Sequence, residues 1–457
     1  MKKILKYGLL LLLIAFIVTA FIYYPRLDLI TGFAAKNMCS CTFLAERDPA
    51  SVTDGDNDFM PVKLAKSEVN YEERSATATV FGLKKRKAVY REGAGCTLLP
   101  YGSDRSERKT VVPTRSTNSG EAPYPYGEGE PLAADLPGVN KESLDASVKL
   151  AFEPYNRTRA VLVLYKDQLI AEEYAPGFTA ETKQLGWSMT KSVTNAVLGV
   201  LQKQGRISLE QDHLFAEWDG DQRSQITLRD LLQMNSGLEW NEDYYKISDV
   251  TKMLYLAEDM GRVQLKQPLV GQPGSSWNYS SGTSNLLSKF IRNQFNDYPA
   301  YLNFWYEELI DKIGMRSMQI ETDLTGTLVG SSYGWATPRD WAKFGLLYLR
   351  KGNWNGEQVL NESWVEFSAI PTTNSDGQYG AHFWLNAGGI YPNVPRDLYS
   401  ANGFQGQHVF IIPSRDMVVV RFGLVEYPEF DIDSFLKGVI GAVEPVEKNR
   451  EELVVKL

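Results

Sequence analysis

The first regular feature of the chain is an uncharged apolar run from Gly8 to Tyr24, with Lys2, Lys3 and Lys6 before it and Arg26 behind it. As a helix its 17 residues span about 25 Å at 1.5 Å per residue, slightly short of a ~30 Å hydrocarbon core. The run predicts an uncleaved single-pass anchor, with the N-terminus in the cytoplasm and the rest of the chain on the periplasmic or extracellular side. The alternative is a cleaved signal peptide and a secreted protein, for which Val18-Thr19-Ala20 offers only a weak cleavage site. From 40 to 100, short β-like runs (Ala76 to Gly82, Lys87 to Arg91) alternate with polar turns. The stretch from Ser103 to about Gly138 is rich in Pro, Gly, Ser and charge and has no sustained apolar period, so it reads as a linker or wrapping loop.

Beyond it the pattern becomes regular. Arg159 to Tyr165 and Leu169 to Tyr174 are strands about an Asp167-Gln168 turn. Val193, Ala196, Val197, Val200 and Leu201 then recur at helical spacing from Ser188 to Gln204-Gly205. About eighty largely helical residues are expected next, including Thr227 to Met234 with its threonine as N-cap. Near the end, Gln407 to Ile412 and Met417 to Arg421 are strand-like around a Pro413 to Asp416 turn, and Phe435 to Val443 reads as a closing helix. Strands at both ends with helices between them predict an α+β sandwich whose sheet unites distant parts of the chain. The expected divisions are an anchor or signal peptide at 1–25, an accessory region and linker at 26–136, a catalytic domain at 137–445 and a tail at 446–457.

Composition narrows the function. With 43% hydrophobic residues and 23% charged, the 457-residue chain buries a sizeable core. A net charge of −8, with no Lys/Arg-rich face, argues against nucleic acid as a partner. Three histidines (His213, His382, His408) and three cysteines (Cys39, Cys41, Cys96) have no metal-ligand spacing, so neither metal nor cofactor is expected. Asp54, Asp56 and Asp58 resemble the start of a calcium loop, but Phe59 and Ala65 replace the glycine and glutamate it needs, leaving a solvated turn. Outside the cytoplasm, Cys96 can pair with Cys39 or with Cys41; those two are poorly placed to bridge each other.

The candidate chemistry begins with Ser188-Met189-Thr190-Lys191. A serine at a helix start and a lysine three residues on share one face, so hydroxyl and amine can meet, and a hydroxyl is inert until a base takes its proton. Burial and the positive end of the helix dipole both favour the neutral amine that such a base requires. Ser-x-x-Lys occurs three times, at Ser106/Lys109, Ser188/Lys191 and Ser434/Lys437. Only the middle pair joins a strand hairpin to an apolar helix. Two further elements follow in order: Tyr279-Ser280-Ser281 ahead of a helical run from Asn285 to Phe295, and Ala401-Asn402-Gly403-Phe404-Gln405-Gly406 leading into a strand.

Together these elements resemble the serine β-lactamase and penicillin-binding-protein superfamily, whose signature is Ser-x-x-Lys, then Tyr-x-Asn or Ser-x-Asn, then Lys-Thr-Gly. Similar to its class C-like esterase and amide-hydrolase branch are also Gly186 to Ser192, Leu228 to Leu238, Thr337 to Asp340, and Gly403 to Gly406 before a strand ending at Pro413. Among its members the chain is most similar to hydrolases of aminohexanoate oligomers. The resemblance covers residues 137 to 443. It implies an antiparallel sheet flanked by helices, with a mostly helical subdomain. It also implies a serine hydrolase of esterase or amidase type, in which Ser188 is acylated, Lys191 shares its proton and Tyr279 serves as general base and acid. The backbone N–H groups of Ser188 and Phe404 would form the oxyanion hole, and Ser281, Asn402 and Gly403 would contact substrate. Two departures bear on the substrate: Ser281 stands where an asparagine is usual, and Ala401-Asn402-Gly403 replaces Lys-Thr-Gly.

The expected substrate is therefore a small or short-peptide ester or amide, neutral or cationic, in the cell envelope. The competing readings are a D-Ala-D-Ala peptidase or β-lactamase, disfavoured by the missing lysine, and a non-hydrolysing binder or sensor, disfavoured by the retained Ser188, Lys191 and Tyr279. Trp187, Trp240, Tyr244 and Tyr245 read as core aromatics, and His382 and His408 as structural histidines. The oligomeric state is not legible.

Overall fold

The computed structural model describes residues 5–12, 14, 24–101, 111–116, 120, 122–132, 136–425 and 429–443. Most of the apolar run, Val18-Thr19-Ala20, the Ser106/Lys109 pair and the tail at 446–457 lie outside them. Among the described residues no helix is long and apolar enough to cross a membrane, and no cluster of His, Cys, Asp and Glu could hold a metal ion.

The chain forms two compact units, and their division departs from the sequence boundaries. One unit combines the N-terminal part, to Val112, with two segments from within the expected catalytic domain, Trp240–Lys266 and Glu321–Leu328. It is built on a helix, Arg26–Phe43, that is buried along most of its length from Ile30 to Thr42. That burial takes in polar side chains, Lys36, Asn37 and Ser40 among them, which must find partners inside the unit. Gly32 lets the helix pack closely, since a Cβ there would sit 3.1 Å from Tyr255 and 3.2 Å from Leu98. Four antiparallel strands follow as a meander: Ala65–Asn70, Ser75–Val80, Leu83–Arg91 and Gly95–Leu98. The Cys39–Cys96 disulfide staples helix to sheet, choosing between the two expected pairings and leaving Cys41 buried beside it.

The inserted segments are anchored by polar groups that water does not reach. Glu321, fully buried, accepts hydrogen bonds from Lys36 Nζ at 2.5 Å, Ser40 Oγ at 2.8 Å and the Cys96 backbone N–H at 2.7 Å. The buried Arg86 donates to the carbonyls of Tyr255, at 2.9 Å, and Leu99, at 3.3 Å. Asp56, expected in a solvated turn, is instead mostly covered and paired with Arg47 at 2.7 Å. Of the aromatics read as core, Trp240 is buried, whereas Tyr244 is half-buried and Tyr245 exposed.

The second unit carries the six-stranded antiparallel sheet. Its order is Trp384–Leu385, Tyr399–Gly403, Gln407–Ile412, Met417–Gly423, Thr158–Tyr165, Gln168–Tyr174, so the C-terminal strands flank the first hairpin. Central strands buried on both faces need a cover on each. Val161, Val163, Phe410 and Val419 pack under the helices Lys141–Ala151 and Ile432–Gly441 through Leu144, Val148, Leu436 and Val439. Against the opposite face lies the helix Pro338–Leu349, where a Cβ on Gly345 would sit 2.6 Å from Val418 and 2.7 Å from Val409. Thr337 caps that helix and Pro338 opens it, which accounts for the Thr-Pro-Arg-Asp sequence.

The region expected to be largely helical is more irregular than its periodicity suggested. Short helices, Leu228–Leu232 among them, are separated by 3-10 turns and extended segments. The wrapping loop is a strap: Arg115 donates to Asp311 at 2.8 Å, Tyr124 to the Arg339 carbonyl at 2.9 Å, and Lys343 to Glu128 at 2.9 Å.

Candidate active site

All the site residues predicted from the sequence lie in the second unit. Ser188 stands at the N-cap of the helix Met189–Lys203, yet its hydroxyl makes no capping bond. The backbone turn is held by other means. Trp187 adopts φ +48°, a conformation that L-residues occupy at a cost and that clusters at functional sites. Thr190 Oγ1 donates to the Trp187 carbonyl at 2.7 Å and accepts from the Gly334 N–H at 2.9 Å. The Gly186 N–H donates to the Gly334 carbonyl at 2.8 Å. The serine is thus relieved of its usual capping task and left for Lys191.

Lys191 is 1% exposed. Its Nζ lies 3.0 Å from Ser188 Oγ, 2.8 Å from Ser281 Oγ and 2.9 Å from the Ser331 carbonyl oxygen. The two adjacent serines of the second motif divide their work. Ser280 caps the helix Ser281–Asn293 by accepting from the Thr283 N–H at 2.9 Å, while Ser281, fully buried, turns to Lys191. The direct substrate contact expected of Ser281 is therefore not what its position offers: it acts on the lysine. Tyr279, half-buried, places its ring 5.1 Å from Lys191 Nζ and packs at 5.6 Å on Tyr379 and 5.2 Å on Trp384.

One turn further along the same helix, Ser284 Oγ lies 2.9 Å from His382 Nε2, and His382 Nδ1 lies 2.9 Å from the Leu232 carbonyl. A carbonyl only accepts, so Nδ1 carries the proton and Nε2 accepts from Ser284. Burial pushes this imidazole down to about 3. It is a neutral, doubly bonded ring behind the lysine and is not placed as a triad base.

The third motif lies on the strand Tyr399–Gly403 and the turn after it. A Cβ on Gly403 would come within 2.1 Å of the Gly186 carbonyl, so glycine lets this strand run against the nucleophile turn. Asn402 Oδ1 lies 3.0 Å from Nδ1 of the buried His408. The substrate contact expected of Asn402 thus competes with a neighbour that already holds its amide oxygen. Phe404 packs edge-on to Trp187 at 5.6 Å. Its carbonyl accepts from Gln407 Nε2 at 3.0 Å, and the same nitrogen donates to the Gly423 carbonyl at 2.6 Å.

Arg421 completes the turn. It is fully buried and donates to the carbonyls of Gly406 and Asn156, both at 2.6 Å, and to Thr158 Oγ1 at 3.0 Å. Burial lowers its guanidinium to about 9. Its charge is committed to backbone oxygens and to the Phe430 ring 4.1 Å away, so it does not replace the missing third-motif lysine toward a substrate carboxylate.

A family model described as beta-lactamase matches residues 154–433 of the chain, a span that contains every one of these groups. The chain belongs to the beta-lactamase family of serine hydrolases. A curated relative is the 6-aminohexanoate-dimer hydrolase of Paenarthrobacter ureafaciens, 24% identical over 308 residues, covering 60% of this chain and 74% of the relative. Among solved structures, a Bacillus anthracis protein described as a 6-aminohexanoate-dimer hydrolase superposes with TM-score 0.54 at 24% identity, over 64% of this chain and 79% of that one. A family VIII carboxylesterase superposes with TM-score 0.53 at 13% identity, over 69% of this chain and 99% of that one. At such identities the superpositions speak for the fold.

Several groups of this beta-lactamase site carry no sequence signal. Ser331 reaches Lys191 through a main-chain carbonyl, which any residue type supplies, and its N–H is fixed by Asn285 Oδ1 at 3.1 Å. Gln407 and Arg421 were read only as strand residues. Neither Ser284 nor His382 stands at a motif spacing.

Proposed function

We propose that the chain cleaves an ester or amide through an acyl-enzyme on Ser188. The arrangement of Lys191 carries this reading. In its neutral form the amine has two N–H groups and one lone pair. The Ser331 carbonyl can only accept, the Ser281 hydroxyl takes the second N–H, and the lone pair then faces the proton of Ser188 Oγ at 3.0 Å. Ser188 Oγ adds to the substrate carbonyl carbon as its proton passes to Lys191. The backbone N–H groups of Ser188 and Phe404 stabilise the oxyanion, such a donor contributing about 3–4 kcal/mol in comparable sites. The C–O or C–N bond breaks as the Tyr279 hydroxyl protonates the leaving alcohol or amine. Water then adds to the acyl group, giving its proton to the Tyr279 phenolate. Collapse of the second tetrahedral species releases the acid, and the Lys191 proton returns to Ser188.

The substrate we infer is neutral or cationic. Ala401 and Asn402 offer no cation, and the nearby Arg421 is spent on carbonyls. Amides related to those named for the Paenarthrobacter enzyme, with the free carboxylate blocked as an ester or amide, are the first substrates to try. We place the enzyme in the cell envelope, held by the Gly8 to Tyr24 segment. The Cys39–Cys96 disulfide supports an oxidising compartment.

Intact-mass spectrometry after exposure to a fluorophosphonate tests the nucleophile. A single adduct is expected on the wild type and none on Ser188→Ala or Lys191→Ala. No adduct on folded wild-type protein, or efficient turnover of the carboxylate-bearing nitrocefin, would contradict the mechanism or the substrate class respectively.

A further inference from the structure

The hairpin between Ser75–Val80 and Leu83–Arg91 is closed by two residues, with Val80 paired to Leu83. Both turn residues have positive φ, +52° at Phe81 and +73° at Gly82. Hairpin turns of this hand favour asparagine or aspartate ahead of the glycine. A phenylalanine there is costly on two counts: a bulky side chain in the left-handed region and an aromatic ring left in water. Phe81 is 80% exposed, and nothing lies within 4 Å of where a Gly82 Cβ would stand. The ring contributes little to the fold for what it costs.

Its surroundings indicate what it meets. Leu83 is also exposed, and Lys84 and Lys85 follow directly. Lys84 Nζ lies 4.3 Å from the centre of the Tyr24 ring and 5.2 Å from that of Tyr101, and pairs with Asp28 at 2.8 Å. Tyr24 is the last residue of the apolar run, and both tyrosines are exposed. The hairpin tip therefore stands beside the point where the chain leaves that run. Apolar side chains at a tip, tyrosines around it and lysines behind it match the chemistry of a lipid–water interface.

We propose that the Phe81–Leu83 tip seats in the interfacial layer of the same bilayer that the Gly8 to Tyr24 segment enters. The proposal rests on the anchor reading. With the tip seated, the apolar segment and the hairpin form two points of attachment, which limit the swing of this unit about its anchor. A partner protein on the same tip is the competing occupant.

The test uses the full chain mixed with vesicles of phosphatidylcholine and phosphatidylglycerol. Flotation comes first. Phe81→Cys and Tyr71→Cys, the latter on an exposed residue at the opposite end of the strand Ser75–Val80, are then each labelled with an environment-sensitive maleimide; Cys41 is buried. The label at 81 should shift to the blue on vesicles and be quenched by nitroxide lipids, whereas the label at 71 should respond only to aqueous iodide. A chain that floats while position 81 stays open to iodide overturns the hairpin proposal alone. A chain that does not float overturns the anchor reading as well. As a second measurement in detergent, Phe81→Asn should raise the thermal midpoint and leave hydrolysis unchanged. A lower midpoint would make Phe81 a structural residue and contradict the proposal.

Discussion

The two buried histidines make the hydrolase unit sensitive to mild acid, by an amount that follows from their surroundings. Burial holds His382 and His408 each at about 3, with the Arg421 charge adding to it at His408, against 6.5 for a free imidazole. Between pH 6.5 and 3 the unfolded chain therefore binds two protons that the folded chain refuses. Stability is complete above pH 6.5 and is withdrawn as pH falls through that window. At about 1.36 kcal/mol per pH unit and per proton, acidification from 6.5 to 5 removes roughly 2 kcal/mol for each ring. Another group acts in the opposite direction: the buried carboxyl of Asp340, in the same unit, is raised by desolvation and gains its proton first in the folded state. The informative quantity is thus the difference between wild type and a variant that lacks one imidazole.

His382→Gln retains a donor for the Leu232 carbonyl and an acceptor for Ser284, and His408→Gln retains a donor for Asn402. Urea unfolding at pH 6.5 and pH 5 should show each variant losing roughly 2 kcal/mol less than wild type on acidification. With only three histidines in the chain, imidazole carbon NMR resolves them individually. The resonance lost in His382→Gln should stay at its neutral position throughout the folded range. The exposed His213 should titrate with a midpoint raised by its bond to Asp212. A His382 resonance with a midpoint near 6.5, or equal acid sensitivity in wild type and both variants, would refute the argument.

Arg421→Met should lower kcat by about 100-fold or more with KM little changed, because the turn carrying the Phe404 N–H loses its clamp on the Gly406 carbonyl. A fall confined to thermal stability would make Arg421 a purely structural cation. In the N-terminal unit, Lys36→Met strands Glu321 without its buried partner and should cost about 3–5 kcal/mol, while Lys36→Met combined with Glu321→Gln should recover a large part of that loss. Additive losses in this cycle, read by urea unfolding, would show that the pair is not coupled.

What the sequence revealed, and what it did not, divides along physical lines. The hairpin Thr158–Tyr165/Gln168–Tyr174 and the helix Met189–Lys203 were legible because their apolar periods are set by burial against one sheet. The motifs were legible because each contains residues with no substitute. Gly186 has no room for a Cβ beside Trp341, and Gly403 none beside Gly186. Thr227 and Asp230 close a capping box. Many of the matched positions thus keep the scaffold in shape, whereas Ser188 and Ser281 hydrogen-bond Lys191 and Tyr279 places its ring 5.1 Å from it. The helix Arg26–Phe43 was not foreseen, since a helix buried on most sides shows no amphipathic period and adjoins an apolar run. Nor was the grouping of Trp240–Lys266 and Glu321–Leu328 with the N-terminal part. That grouping depends on contacts such as Glu321 with Lys36, 285 residues apart, for which local composition holds no record.

The departure at the third motif is more than a missing cation. Asn402, His408 and Arg421 occupy paired positions on three adjacent strands: Asn402 opposite His408, and His408 opposite Arg421. In place of a lysine aimed at the substrate, the strand edge has a neutral imidazole holding the asparagine oxygen and an arginine donating to the Gly406 carbonyl of the turn. Restoring Lys-Thr at 401–402 would therefore not by itself restore recognition of a carboxylate. A lysine in place of Ala401, itself 1% exposed, would have to bury its charge, and a threonine at 402 would take from His408 the amide oxygen it now donates to. Specificity at this edge is built into three strands together, and exchanging the motif alone should lower stability before it broadens the range of substrates.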